Sequence, residues 1–162
     1  MRSLTRILSG GQTGVDHAAL RAASAAGLHI GGWCPPQRLC ESGTIPDDFP
    51  LRETPTERSP DAPEVPRSLR TQWNVRDADA TLILSPQLAR APDPGTEWTR
   101  QCAQHFGRPV LTVDPYDPHA VETITRWIID SNVTVLNVGG PSESTWPGIG
   151  DQVFEVLGRV LG

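Results

Sequence analysis

Apolar runs that do not alternate with polar residues, helix-period segments between them, and glycine-hydroxyl loops at the junctions predict a parallel sheet covered on both faces. The expected architecture is a Rossmann-like three-layer α/β/α sandwich, and 162 residues suit one domain spanning 1–162. The runs "ATLILS" and "VTVLNV" carry the first observation, because a strand with one wet face would interleave charge.

In chain order, residues 4–9 read as a buried strand and 14–26 as a helix. Within that helix Val15, Ala18, Ala19, Ala22 and Ala26 recur at helical spacing, a small face that lets a helix sit close on a sheet. Residues 28–33 suggest a second strand. The stretch 34–66 holds half of the 16 prolines. Proline removes a donor and fixes φ, so a folded excursion with one short strand near 51–54 is expected, a disordered linker being the alternative on composition. Alternation then resumes, with helices over 67–76, 96–106, 118–130 and 147–161 and strands over 80–85, 109–113 and 133–138.

Composition narrows the chemistry. A net charge of −5 and a mean hydropathy of −0.32 describe a soluble, mildly acidic chain. No apolar stretch approaches the ~20 residues of a membrane span. The N-terminus carries no apolar signal segment, so the cytoplasm is the expected location. No dense basic run invites nucleic acid. All 14 basic residues are arginine, which excludes a lysine Schiff base, P-loop lysine or lysine general base. Any anion must be met by backbone amides or by planar guanidinium groups. Cys34, Cys40 and Cys102 form no Cys-x-x-Cys pair, and His17, His29, His105 and His119 have no ligand spacing, so no metal site is expected.

Three strand-to-helix loops carry unusual residues, and a parallel sheet would bring all three to the edge where such sheets bind ligands. The first is Gly10-Gly11-Gln12-Thr13-Gly14, with Thr13 and Asp16 at capping-box spacing. Its glycines allow close approach to the main chain, and the following helix offers free amides for a phosphate. Asp16 would repel that phosphate unless it turns aside to cap or accepts from a ligand hydroxyl or ring N–H. The second loop presents Gly95 and Thr96 at a helix start, and the third is Gly139-Gly140-Pro141-Ser142-Glu143-Ser144. Between them "LRTQWNVRDAD" supplies Arg70, Trp73, Asn74, Arg76 and Asp77, with a surface Arg76–Asp77 ion pair as the alternative reading.

The blocks "ILSGGQTGVDHAAL", "GGWCPPQRLCESGTIPDDFPLRET", "RTQWNVRDADATLIL", "PGTEWT" and "LNVGGPSES…PGI" together resemble the molybdenum-cofactor carrier family. That family lies in a superfamily of Rossmann-like nucleotide-ligand binders that includes DNA-processing proteins and the cytokinin-activating phosphoribohydrolases. The resemblance runs from about Ile7 to the last helix. It implies a homo-oligomer, dimer or tetramer, that holds the molybdenum cofactor (molybdopterin, a pyranopterin monophosphate) and delivers it to acceptor enzymes. On this resemblance the phosphate sits on the amides of residues 10–14 or on those around Gly95 and Thr96. The pterin then finds partners among Asn74, Asp77 and Glu143. Five tryptophans in a small chain add weak support for self-association, with Trp33, Trp98, Trp127 and Trp146 as candidates.

One departure separates relatives. The phosphoribohydrolases carry Pro-Gly-Gly-x-Gly-Thr-x-x-Glu, whereas this chain reads Asp93-Pro94-Gly95-Thr96-Glu97-Trp98-Thr99. Thr99 stands where the resemblance puts the catalytic acid, and a hydroxyl cannot do a carboxylate's acid-base work near neutral pH. A carrier without turnover is therefore the first expectation. An enzyme acting on a nucleotide-like ligand through Asp16 or Glu143 is the second.

Overall fold

The computed structural model describes residues 3–87 and 93–162. Five strands form one wholly parallel sheet: β1 (Arg6–Leu8), β2 (His29–Gly31), β7 (Ala80–Leu84), β8 (Val110–Val113) and β9 (Val135–Gly139), in the order β2-β1-β9-β7-β8. Register pairs Ile7 with Ile30 on one side and with Leu136 on the other, and Leu82 pairs with Val138 and Leu111. The predicted Rossmann-like α/β architecture is the one observed.

Among the described residues, five helices cover the sheet. α1 (Val15–Ala25), α5 (Ile149–Leu161) and α4 (Ala120–Asp130) make one layer, α5 lying between the other two. α2 (Ser68–Asp77) and α3 (Pro94–Phe106) make the other. The main core lies under the three-helix layer, where Val15, Ala18, Ala19 and Ala22 meet Ile7, Leu136, Val153 and Leu157. The alanine face does what its spacing implies: it lets α1 lie close to both the sheet and α5. On the opposite side Val75, Cys102 and Ala103 pack beneath α2 and α3.

The strand predicted over 28–33 is interrupted. Gly32 has φ +130, and a β-carbon there would lie 2.5 Å from the Ser9 carbonyl, so the chain breaks step and resumes as β3 (Trp33–Cys34). The excursion contains more strand than the single one expected. β3 pairs in parallel with β6 (Arg52–Glu53), and β4 (Leu39–Cys40) forms a hairpin with β5 (Gly43–Thr44). Its apolar residues Cys34, Ile45, Phe49 and Leu51 join Leu20 of α1 in a second, smaller core.

One side chain ties the middle of the excursion together. The Arg38 guanidinium donates to the carbonyls of Leu51 at 3.0 Å, Pro46 at 2.9 Å and Phe49 at 2.9 Å. Its two terminal nitrogens supply donors where proline removes them from the backbone, while its Nε is buried without a partner.

Candidate functional site

Because all five strands are parallel, the loops after β1, β7 and β9 meet at the carboxyl edge. Between them, under the start of α2, lies a cleft of about 290 Å³. Its walls include Gln12 and Asp16, Arg67 and Arg70, Asp93 to Thr96 with Thr99, and Gly139 to Ser142. Ile83 also lines it. The loop after β7 partly lies outside the described residues, 88–92.

The two glycine pairs create this cleft differently. Gly10 is bare because Arg70 lies across it, and a β-carbon there would collide with the guanidinium. Gly11, at φ +83, packs against Ile45 and Leu51 of the excursion, so its glycine serves packing. Gly14, at φ +76, lets loop 1 press on the β9 loop: an added β-carbon would meet the Pro141 carbonyl and Glu143 amide nitrogen at 2.7 Å. The Val15 amide donates to that same Pro141 carbonyl at 3.2 Å. Gly140 abuts the Leu84 carbonyl, whereas nothing lies within 4 Å of a β-carbon built on Gly139. Gly139 is the glycine that opens onto empty cleft.

The amides expected to seat a phosphate are largely engaged. Asp16 does not form the capping box; its Oδ2 accepts from the Gln12 amide at 3.1 Å. The Thr13 amide donates to Gln12 Oε1 at 3.0 Å. In the second loop Asp93 caps α3, accepting from the Thr96 amide at 2.7 Å, and the Thr99 hydroxyl donates to the Gly95 carbonyl at 2.8 Å.

Positive charge in the cleft comes instead from Arg67 and, more deeply placed, from Arg70. Its side chain is 17% exposed, its nearest anion is Asp16 at 3.5 Å, and its Nε is buried with no partner. Burial pushes the Asp16 carboxyl up, against the pull of Arg70 and the Gln12 amide. Burial likewise lowers Arg70, with Asp16 opposing. A guanidinium with a long ion pair and an unused donor is under-compensated, and groups in that condition cost free energy until something answers them.

Three expected residues stand elsewhere. Asn74 is 1% exposed and bridges to β3 through both amide atoms, accepting from the Trp33 amide at 2.8 Å and donating to the Trp33 carbonyl at 3.0 Å. It replaces a missing strand neighbour. Arg76 and Asp77 form a surface ion pair at 2.8 Å, with Arg76 over the Trp73 ring and Asp77 accepting from Trp33 Nε1. None of the three lines the cleft, since α2 offers its first turns to it and these sit at the far end. Arg67 and Thr71 do line it and were not singled out from the sequence, whereas Asp93 belongs to the second loop, Asp93-Pro94-Gly95-Thr96, that the sequence pointed to. A signal existed: helices in a parallel α/β fold run against the strands, so their first turns lie at the ligand edge.

Glu143 and Thr13 belong to the other side of the loops, where an open pocket of about 800 Å³ lies between α1, α5 and the β4–β5 hairpin. Glu143 caps α5, accepting from the amides of Gly148 and, at 3.1 Å, Gly150. Asp16 and Glu143 therefore do not form a carboxylate pair across one cleft. Ser142 bonds to Ser144 at 3.3 Å and to Thr145 at 2.9 Å. Among the described residues no group of His, Cys, Asp and Glu could hold a metal ion, and no helix is long and apolar enough to cross a membrane.

The fold is a Rossmann-like α/β sandwich with a cleft among the loops at the carboxyl edge of its parallel sheet, the place where sheets of this class bind ligands. The chain belongs to the circularly permutated YpsA SLOG family, whose sequence profile matches residues 7–161. The permutation is visible in the sheet: counted from β9, the strands run 1-2-3-4-5 along the chain and 3-2-1-4-5 across the sheet. The chain is 33% identical to a solved structure described as a "putative molybdenum carrier protein" from Syntrophus aciditrophicus SB. That likeness covers 99% of this chain and 97% of that one, at a TM-score of 0.85. No curated protein matches.

Proposed function

We propose that the protein binds a phosphorylated small molecule in the cleft and carries it without turnover, and that the ligand is the molybdenum cofactor, a pyranopterin monophosphate. One observation carries the reading: Arg70 lies in the cleft with a buried, unpartnered Nε and only a 3.5 Å contact to Asp16. A phosphate answers both lacks, giving the guanidinium a bidentate anion. The cleft volume of about 290 Å³ is at the lower end of small-molecule sites, ~300–1,000 Å³. It encloses the anionic end of a ligand and leaves the remainder outside, which suits a cargo that must be handed on. The carrier description of the similar structure supports the choice of cofactor.

Carriage without turnover is supported by how the polar groups are used. Thr99 replaces a carboxylate and spends its hydroxyl on the helix backbone, and Glu143 is committed to capping α5. Catalysis has to lower a barrier by roughly 8 kcal/mol or more, which calls for a matched acid and base or a metal. Self-association and transfer to acceptor enzymes complete the proposal, checked by light scattering at micromolar concentration and by reconstitution of an apo-enzyme.

The central test incubates the protein with molybdenum cofactor and with nucleoside monophosphates, following ligand by chromatography and affinity by calorimetry. Stoichiometric retention of intact cofactor that Arg70→Met weakens roughly tenfold or more is expected. Steady release of base, sugar phosphate or inorganic phosphate, abolished by Asp16→Asn, overturns the carrier reading.

A further inference from the structure

Ser142 and Thr96 line the cleft, but two other residues of the loops do not. Thr13 and Ser144 turn into the outer pocket and converge on a carboxylate of the chain itself, Glu41 at the tip of the β4–β5 hairpin. One Glu41 oxygen accepts from the Thr13 hydroxyl and from the Ser144 amide at 3.0 Å, and the other accepts from the Ser144 hydroxyl. Three donors from two loops on one carboxylate make the arrangement that an oxoanion needs. Glu41 is nonetheless exposed to solvent. Its backbone amide is held separately, donating to Gln12 Oε1 at 2.9 Å, so the carboxylate can leave while the hairpin stays attached. Around the nest the outer pocket, about 800 Å³, also presents Arg21 and the half-exposed ring of Phe154.

We propose that the Thr13–Ser144 nest is a second oxoanion site, for phosphate or a phosphate monoester, held shut in this structure by the Glu41 carboxylate. The nest lies on the outer side of the β9 loop from the cleft beneath Arg70: Ser144 lines the outer pocket, and Ser142, which lines the cleft, adjoins the nest through the Ser144 hydroxyl at 3.3 Å. An incoming anion takes the three donors, and Glu41 swings into water, where a carboxylate is well solvated. Donors are exchanged one for one, so the neighbouring loops need not rearrange.

The experiment measures inorganic phosphate binding at pH 7.5 by calorimetry and phosphorus NMR on the full chain carrying Gly139→Phe, which fills the cleft. In that background Glu41→Ala and Glu41→Gln should each tighten phosphate binding at least tenfold over Glu41. Adding Ser144→Ala to Glu41→Ala should abolish the gain, with circular dichroism unchanged. Equal affinity with and without Glu41 overturns the proposal, as does a gain that survives Ser144→Ala. A gain that appears only when Gly139 is restored places the phosphate in the cleft, and also overturns it. Loss of cleft binding through Arg70→Met leaves the outer-site result untouched, so the two readings fail independently.

Discussion

Gly10-Gly11 and Gly139-Gly140 are indistinguishable as letters, yet they do opposite things with the room they make. The first pair is filled by the protein: Arg70 covers Gly10, and Ile45 and Leu51 cover Gly11. Of the second pair, Gly140 is pressed on the Leu84 carbonyl, and Gly139 alone faces open space. A glycine marks close approach by something. Whether that something is a ligand depends on the third dimension.

The comparison predicts a graded series. Gly140→Ala should have the largest effect, because the obstacle is a strand carbonyl that cannot move aside; a stability loss of about 3 kcal/mol or more by urea denaturation is expected. Wild-type stability in that variant would break the account of the β9 loop. Gly139→Phe reverses the pattern, with unfolding within about 0.5 kcal/mol of wild type and phosphorylated-ligand affinity reduced roughly a hundredfold. Retained affinity would move the site elsewhere. Gly10→Ala is intermediate, since the flexible Arg70 side chain can yield; ligand affinity should fall about tenfold through displaced charge, with a stability loss near 1 kcal/mol.

The smallest effect concerns pH. Burial acts to raise the Glu41 carboxyl, but hydrogen bonds from the Ser144 and Thr13 hydroxyls and the Ser144 amide outweigh it and hold the pKa at about 2, below its usual 4.5. A depressed folded-state value gives stability that is fully present above pH 4.5 and lost as pH falls through about 2. Urea midpoints of wild type and Glu41→Gln, compared at pH 6 and pH 3, should differ more at pH 6. Because Glu41 is exposed, solvent screening keeps the difference small. Identical pH profiles would show that the nest does not hold the carboxylate.

The strands, the helices and the meeting of three loops at one edge were legible because apolar period and parallel topology are local signals with a global consequence. Of the excursion, its folded state and its short strand near 51–54, observed at Arg52–Glu53, were legible; its other strands and the Arg38 side chain reaching three carbonyls up to 13 residues away were not. Asn74 meets a related limit. Its amide is complementary to a peptide unit, and only contact with Trp33 across 41 residues distinguishes strand mimicry from a ligand contact. Nothing in the sequence singles out Glu41, whose partners Thr13 and Ser144 stand 28 and 103 residues away along the chain.

The strand order has a consequence for biogenesis. β9 occupies the middle of the sheet, yet it follows the other four strands in the chain. Without it, β2-β1 and β7-β8 share no strand, and each pair would keep an open inner edge. Vectorial synthesis can therefore complete neither half alone. The cleft, whose floor includes Gly139, comes into being only when the last strand joins the sheet.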